Sequence, residues 1–237
     1  MEKDFIKVGG VETFSTVDFP DKIAAVIFMQ GCPWRCPFCH NAVLQDTDCD
    51  SGFIWEKFVE FLQTRRKILD GVVFSGGEPL MQNGLESAIR EVKDLGFLIG
   101  LHTGGYRPQH LKKVLPLIDW VGFDIKALLE ENKYGRAIGC FSQTYLMKVR
   151  ESLQILLESG VDFECRTTCD PRILSIKDIK DIAEELSRIG VKKYFLQKYR
   201  PVESDKTTSD CDCEQFFCDK NLIAALKAQF EVFDIRK

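Results

Sequence analysis

No run of apolar residues in this 237-residue chain approaches the roughly 18 to 20 needed to cross a bilayer; Ile23–Met29 is among the longest. A membrane partner is therefore not expected. Met1–Lys7 is charged and polar, with no apolar segment and small-residue cleavage site behind it, so the expectation is a cytoplasmic protein. Positive charge is not in excess either: 32 Lys and Arg face 36 Asp and Glu, a net charge of -4. Phosphate backbones are held by clustered cations, so nucleic acid is not an expected partner. No internal repeat, Pro/Ser linker or low-complexity tract interrupts the chain. With 45% hydrophobic and 29% charged residues, disorder and collagen-like fibre are excluded. The length accommodates one large domain or two small ones, with a core that needs no covalent staples.

Cysteine, by contrast, is abundant: there are ten. A disulfide framework belongs to short secreted domains, and in a reducing compartment cysteines are buried thiols, catalytic groups or metal ligands. Their spacing has to decide.

Short β-rich runs alternate with helix-period segments. Strands are expected at Ile23–Met29, Gly71–Ser75, Phe97–His102, Trp120–Ile125, Val161–Thr167 and Lys193–Gln197. Helices are expected over Ile54–Leu69, Leu85–Leu95, Pro108–Leu115, Gln143–Ser159, Ile176–Ile189 and Asp219–Ala228. Gly71, Gly96, Gly160 and Gly190 stand where a left-handed helix cap is wanted. Six βα units imply a parallel sheet covered by helices, because parallel strands need crossovers. An open partial barrel and a doubly wound sheet both satisfy this pattern, and in both the chemistry sits at the carboxyl ends of the strands. Val202–Cys218 is polar, charged and cysteine-rich, and reads as an exposed loop before a terminal helix and a last short segment, Phe230–Ile235.

After the first expected strand comes Gly31-Cys32-Pro33-Trp34-Arg35-Cys36-Pro37-Phe38-Cys39-His40-Asn41. Three thiolates within eight residues repel one another unless a cation neutralises them. Reduced loop cysteines and a C-x-x-C-H haem site at Cys36–His40 are alternatives; the latter needs export and leaves Cys32 idle. Zinc wants a fourth ligand, for which His40, adjacent to Cys39, is badly placed and Cys49 remote. A 4Fe-4S cluster on three cysteines leaves one iron open, as catalysis needs.

C-x-x-x-C-x-aromatic-C behind a first strand, with Phe38 as the aromatic, resembles the signature of radical S-adenosylmethionine enzymes. The resemblance implies a partial (β/α)6 TIM-like barrel with parallel strands, an α/β fold, over residues 1–201, and a segment 202–237 packed on it. It also implies one 4Fe-4S cluster on Cys32, Cys36 and Cys39, with S-adenosyl-L-methionine chelated at the open iron, and Phe38 and His40 beside the cofactor. One electron then yields methionine and a 5'-deoxyadenosyl radical that abstracts hydrogen. Ser75-Gly76-Gly77-Glu78-Pro79 resembles the GGEP motif that receives the methionine amino group: glycines let the backbone approach a ligand, and a carboxylate pairs with an ammonium. Thr103, and Asp124 with Lys126, resemble strand-end S-adenosylmethionine contacts; the period-2 spacing of Asp124 and Lys126 puts acceptor and donor on one face. Arg166 before Thr167-Thr168 resembles an anchor for a carboxylate or substrate, with a structural ion pair as the alternative, and Gln197 in Leu-Gln-x-aromatic-Arg-Pro an adenine-side contact.

Ser15–Pro20 and Cys39-His40-Asn41 are similar to activating enzymes of glycyl radical enzymes, although Asp21 replaces a glycine and His102 stands where many have Asp. Over Val8–Pro201 the pattern is that of the short activating proteins of anaerobic ribonucleoside-triphosphate reductase. Only 35 residues separate Cys39 from Ser75, too few for an inserted ferredoxin-like domain. The implied partners are a glycyl radical enzyme as protein substrate, through a loop that Asp18 helps to receive, and flavodoxin or ferredoxin as electron donor. The competing readings are a radical enzyme acting on a small molecule, such as a carboxydeazaguanine synthase, and an iron–sulfur electron carrier, which normally has a fourth cysteine. Of the other cysteines, Cys140, Cys165 and Cys169 read as ordinary thiols and Cys49 carries no signal. Cys211, Cys213 and Cys218 read as a local thiol cluster, with a second metal or a partner contact as alternatives.

Overall fold

Ala24–Met29 is buried at every position but Phe28, as an unbroken apolar run in a parallel sheet should be. The computed structural model describes residues 6–49 and 51–237; of Met1–Lys7, whose polarity argued against a leader, the first five residues lie outside them. Two compact units are formed, the first from the chain up to Pro33, Asn41–Gly122 and Glu151–Asp162, the second from Trp34–His40, Phe123–Arg150 and Phe163–Lys237.

In the first unit, Val8–Ser15 (β1) runs antiparallel to Ala24–Met29 (β2), which pairs in parallel with Gly71–Gly76 (β3), and β3 in turn with Leu98–Thr103 (β4). Trp55–Gln63 (α1), Leu85–Asp94 (α2) and Pro108–Val114 (α3) supply the helices. The ring of Phe19 stacks on Trp120 at 5.5 Å and packs with Ala24, Val26 and Val73. Glycine at 71 and 100 makes room for it, since a Cβ there would lie 3.0 and 3.3 Å from Phe19 ring atoms.

The strand Trp120–Asp124 (β5) begins in the first unit and ends in the second. It is followed by Glu131–Ile138 (α4) and Gln143–Ser159 (α5). In the second unit, Asp162–Cys169 (β6) pairs in parallel with Lys193–Lys198 (β7), and β7 with Val232–Arg236 (β8), a parallel strand where the sequence suggested only a short segment. Ile176–Arg188 (α6) opens with a capping box between Ser175 and Asp178, and Lys133 of α4 reaches the same carboxylate at 2.8 Å.

All six expected strands are present within two residues of their predicted ends. Three elements were not expected. β1, for which no strand was expected, carries Gly9-Gly10 near its start. α4 is short and uncapped by any Ser, Thr, Asp or Asn side chain. The third corrects the reading of Val202–Cys218 as loop: Asp210–Cys218 is a helix (α7), closed by a capping box between Ser209 and Asp212, ahead of Lys220–Gln229 (α8). Gly96, Gly160 and Gly190 take the left-handed conformation expected of caps. Gly71 does not; it is a strand residue whose missing Cβ admits the Leu98 carbonyl.

Candidate functional site

In the first unit the loops after β2 and β3 leave the sheet tied together. The parallel register ends at Met29 opposite Gly76, and two more hydrogen bonds extend it: Gly77 N–H to the Met29 carbonyl and Glu78 N–H to the Gly31 carbonyl, both 2.9 Å. Gly31 N–H donates to Leu44 O at 2.7 Å, and Cys32 N–H to Gln45 O at 3.4 Å. Gln30 and Gln82 lock the same corner: Gln82 Nε2 donates to Gln30 O, and Gln30 Nε2 to Val43 O and Asp46 O. This pair was not foreseen, because a single glutamine at a strand end has no periodic or motif signature.

Both glycines of the β3 loop are sterically required. Gly76 has φ +103°, and a Cβ there would lie 2.2 Å from Met29 N. A Cβ on Gly77 would lie 2.2 Å from Gly31 O and 3.1 Å from Leu44 O, backbone atoms that cannot swing aside. Gly77→Ala is therefore expected to lower the melting temperature by roughly 3 to 10 °C. Gly10→Ala, with nothing within 4 Å of the new Cβ, is the control expected to leave it near the parent value in the same thermal scan.

Glu78 is buried. Its Oε1 accepts from the Thr103 hydroxyl at 2.6 Å and from Leu80 N–H at 3.1 Å, and its Oε2 from Gly104 N–H at 2.9 Å. The predicted residues Gly76, Gly77, Glu78 and Thr103 are thus brought together beside the start of the cysteine loop. His102 Nε2 lies 2.8 Å from the Asp18 carbonyl, its Nδ1 3.2 Å from Ser75 Oγ, and its ring stands edge-on to Trp120. The Asp18 carboxylate accepts from Ser15 Oγ at 2.5 Å.

The second unit holds the other predicted residues. Arg166 Nη2 and Nε reach Asp124 Oδ1 at 2.8 and 3.0 Å, while Lys126 Nζ lies 3.3 Å from Asp124 Oδ2. Arg166, read as an anchor or an ion pair, thus has Asp124 as its partner. The same ammonium lies 5.5 Å above the Trp34 ring and 5.9 Å above Phe38, within cation–π range. Two backbone bonds, Ile125 N–H to Arg166 O and Arg35 N–H to Ile138 O, and one from the Thr167 hydroxyl to Ile125 O fix this corner, each 2.8 Å. Cys36 and Cys39 are half-buried, and Cys39 N–H donates to Cys36 O at 3.1 Å, closing a turn over Pro37-Phe38. Burial pushes the Cys36 thiol up to about 11, against the opposing charge of Lys126. His40 is exposed, its ring 6.2 Å from Tyr199; partial burial of the imidazole, then the Arg200 charge, lowers its affinity for a proton. Gln197 is half-buried on β7, in register between Thr168 and Arg236.

Soft thiolates suit iron–sulfur chemistry. The donor set therefore fits a cluster. Among the described residues no group of three or more His, Cys, Asp and Glu is gathered as ligands of one metal ion. Cluster ligands surround a body of several atoms, so they need not converge that tightly. Helix geometry corrects the reading of Cys211, Cys213 and Cys218 as a local thiol cluster. Residues two apart on a helix point to nearly opposite sides, and here Cys213 is buried while Cys211 and Cys218 are exposed. Cys165 and Cys169 are buried thiols that burial holds in the protonated, unreactive form.

The sequence pattern of the Radical SAM superfamily matches residues 26–169. A protein of Methanocaldococcus jannaschii named as a glycyl-radical enzyme activating enzyme is 31% identical over 204 residues, 83% of this chain and 81% of the relative. The pyruvate formate-lyase-activating enzyme of Clostridium pasteurianum is 31% identical over 125 residues, 51% of this chain and 52% of that one. The structure of Streptococcus suis SuiB bound to S-adenosylmethionine superposes with a TM-score of 0.68 at 13% identity. That match covers 88% of this chain, which spans about half of SuiB (48%), and it establishes a shared fold. Between an open partial barrel and a doubly wound sheet, the likeness decides for the radical SAM fold.

Proposed function

The chain belongs to the radical SAM superfamily, with relatives named as glycyl-radical enzyme activating enzymes, and on that premise we propose that it generates a glycyl radical on a partner enzyme. The partner we propose is anaerobic ribonucleoside-triphosphate reductase, with flavodoxin or ferredoxin as electron donor. The observation that carries the reading is the welding of the Gly76–Glu78 loop to the start of the cysteine loop through Gly77, Glu78 and Gly31.

Cys32, Cys36 and Cys39 would hold a 4Fe-4S cluster, which supplies the single electron that splits the sulfonium of S-adenosylmethionine. The chain's own residues bind and orient. The Gly76–Glu78 loop would take the methionine end of the cofactor, with Glu78 fixing Thr103 and Gly104 beside it. Asp124, with Arg166 and Lys126 against it, offers a carboxylate of set orientation to ribose hydroxyls, and Phe38 lies under the same lysine; His40 and Gln197 are the remaining cofactor-side residues. Holding the reactants in fixed geometry and away from water is the protein's contribution. With both groups bound, this arrangement would present the α-hydrogen of a partner glycine to the radical chemistry that they supply, ending in 5'-deoxyadenosine and a glycyl radical on the partner. Mixed anaerobically with S-adenosylmethionine, dithionite and the reductase, the chain is expected to give the doublet of a glycyl radical in electron paramagnetic resonance. Cofactor cleavage without a doublet on any glycyl radical enzyme would favour the small-molecule reading instead.

A further inference from the structure

We propose that Arg172, at the turn after β6, is a positioning residue that sets the orientation of the Pro37–Phe38 peptide inside the cysteine loop. The inference rests on the reading of Cys36 and Cys39 as cluster ligands.

Cys36-Pro37-Phe38-Cys39 is a turn closed by the Cys39 N–H to Cys36 O bond. With proline at its second position, such a turn has two common forms, which differ in ψ there by roughly 150° and so in the direction of the central carbonyl. Flipping that peptide redirects Phe38 and Cys39. Arg172 Nη2, whose two hydrogens also serve Asp170 Oδ2 and Tyr199 Oη, shares one of them with the Pro37 carbonyl at 3.3 Å and so favours one of the two directions.

The guanidinium is itself fixed from several sides. Nε lies 3.0 Å from Asp170 Oδ1, and Nη2 lies 2.6 Å from Asp170 Oδ2 and 2.7 Å from Tyr199 Oη. Nη1 lies 2.9 Å from Asp205 Oδ2. Both carboxylates are buried, with side-chain exposures of 0% and 1%, so the arginine, itself 30% exposed, is held by charges on its protein side. Asp205 is in turn held by Thr207 N–H, Thr207 Oγ1 and Thr208 N–H on Oδ1, and by Tyr199 Oη on Oδ2. The polar stretch after β7, expected as an exposed loop, thereby reaches the cysteine loop through one side chain. A planar fork with five donors is what this node requires, and lysine lacks it.

The test is hydrogen exchange on the full chain, with and without reconstituted iron. In Arg172→Gln the Cys39 amide is expected to exchange about tenfold faster, while the Arg35 amide, bonded to Ile138 O, keeps its rate. Iron release to a chelator should accelerate by a similar factor. Tyr199→Phe, which keeps the ring under Arg172 and removes only its hydroxyl, should give a smaller acceleration of about threefold. Should Arg172→Gln not fold, this milder variant decides. Unchanged Cys39 exchange in a folded variant would overturn the proposal. If the parent chain took up no iron, the ligand reading would fall, while the exchange rates would still decide the role of Arg172.

Discussion

Cys36→Ser is expected to leave a folded chain that retains less than about a tenth of the parent's iron and cleaves S-adenosylmethionine more than about a hundredfold more slowly. The fold should survive because the change is one atom, and the bonds that shape the loop are backbone bonds: Arg35 to Ile138 and Cys39 to Cys36. The loss should be large because a serine hydroxyl is a harder donor and hardly ionises. Outer-shell changes at metal sites already cost about 10- to 100-fold, and a direct ligand costs more. Cys49→Ser and Cys211→Ser, both at exposed cysteines, are the controls expected to match the parent. Iron content and product formation, measured side by side under anaerobic conditions, check all three. Full iron and full cleavage in Cys36→Ser would remove this loop from the chemistry.

Glu78→Gln should separate cofactor binding from iron binding. The carboxylate oxygens accept from Thr103, Leu80 and Gly104. An amide nitrogen in place of either oxygen faces a donor with a donor. A buried donor left unsatisfied costs about 1–3 kcal/mol, so Thr103 and Gly104 should lose their place and S-adenosylmethionine affinity should fall by roughly 10- to 100-fold. The Glu78 N–H to Gly31 O bond is main-chain and persists, so the iron content should stay at the parent level. Titration with S-adenosylmethionine beside an iron assay reads both quantities. Loss of iron with unchanged affinity would mean that Glu78 serves the cysteine loop rather than the cofactor.

Much of this was legible in the sequence for definite physical reasons. Strands buried on both faces, such as Ala24–Met29, write themselves as unbroken apolar runs. The helices between them carry one apolar stripe, and the strand-end motifs are local in sequence. What stayed hidden is mostly long-range. Arg172 lies 135 residues from Pro37, and nothing near Asp170-Pro171-Arg172 announces that contact. The ion pair of Arg166 with Asp124 joins strands 42 residues apart. Local signals were also missed: Ser209 and Asp212 spell a capping box that marks α7, but the cysteines around it drew the reading toward metal and loop. β1 carries Gly9-Gly10, weak strand formers, and its register shifts between Val8 and Gly10, so it lacks the unbroken apolar run of β2.

The most direct test of the central claim is anaerobic turnover of S-adenosylmethionine by the iron-reconstituted chain in the presence of dithionite. The account predicts methionine and 5'-deoxyadenosine in equal amounts, formed only with reductant and only when Cys32, Cys36 and Cys39 are intact. A reconstituted, folded chain that forms neither product would contradict it.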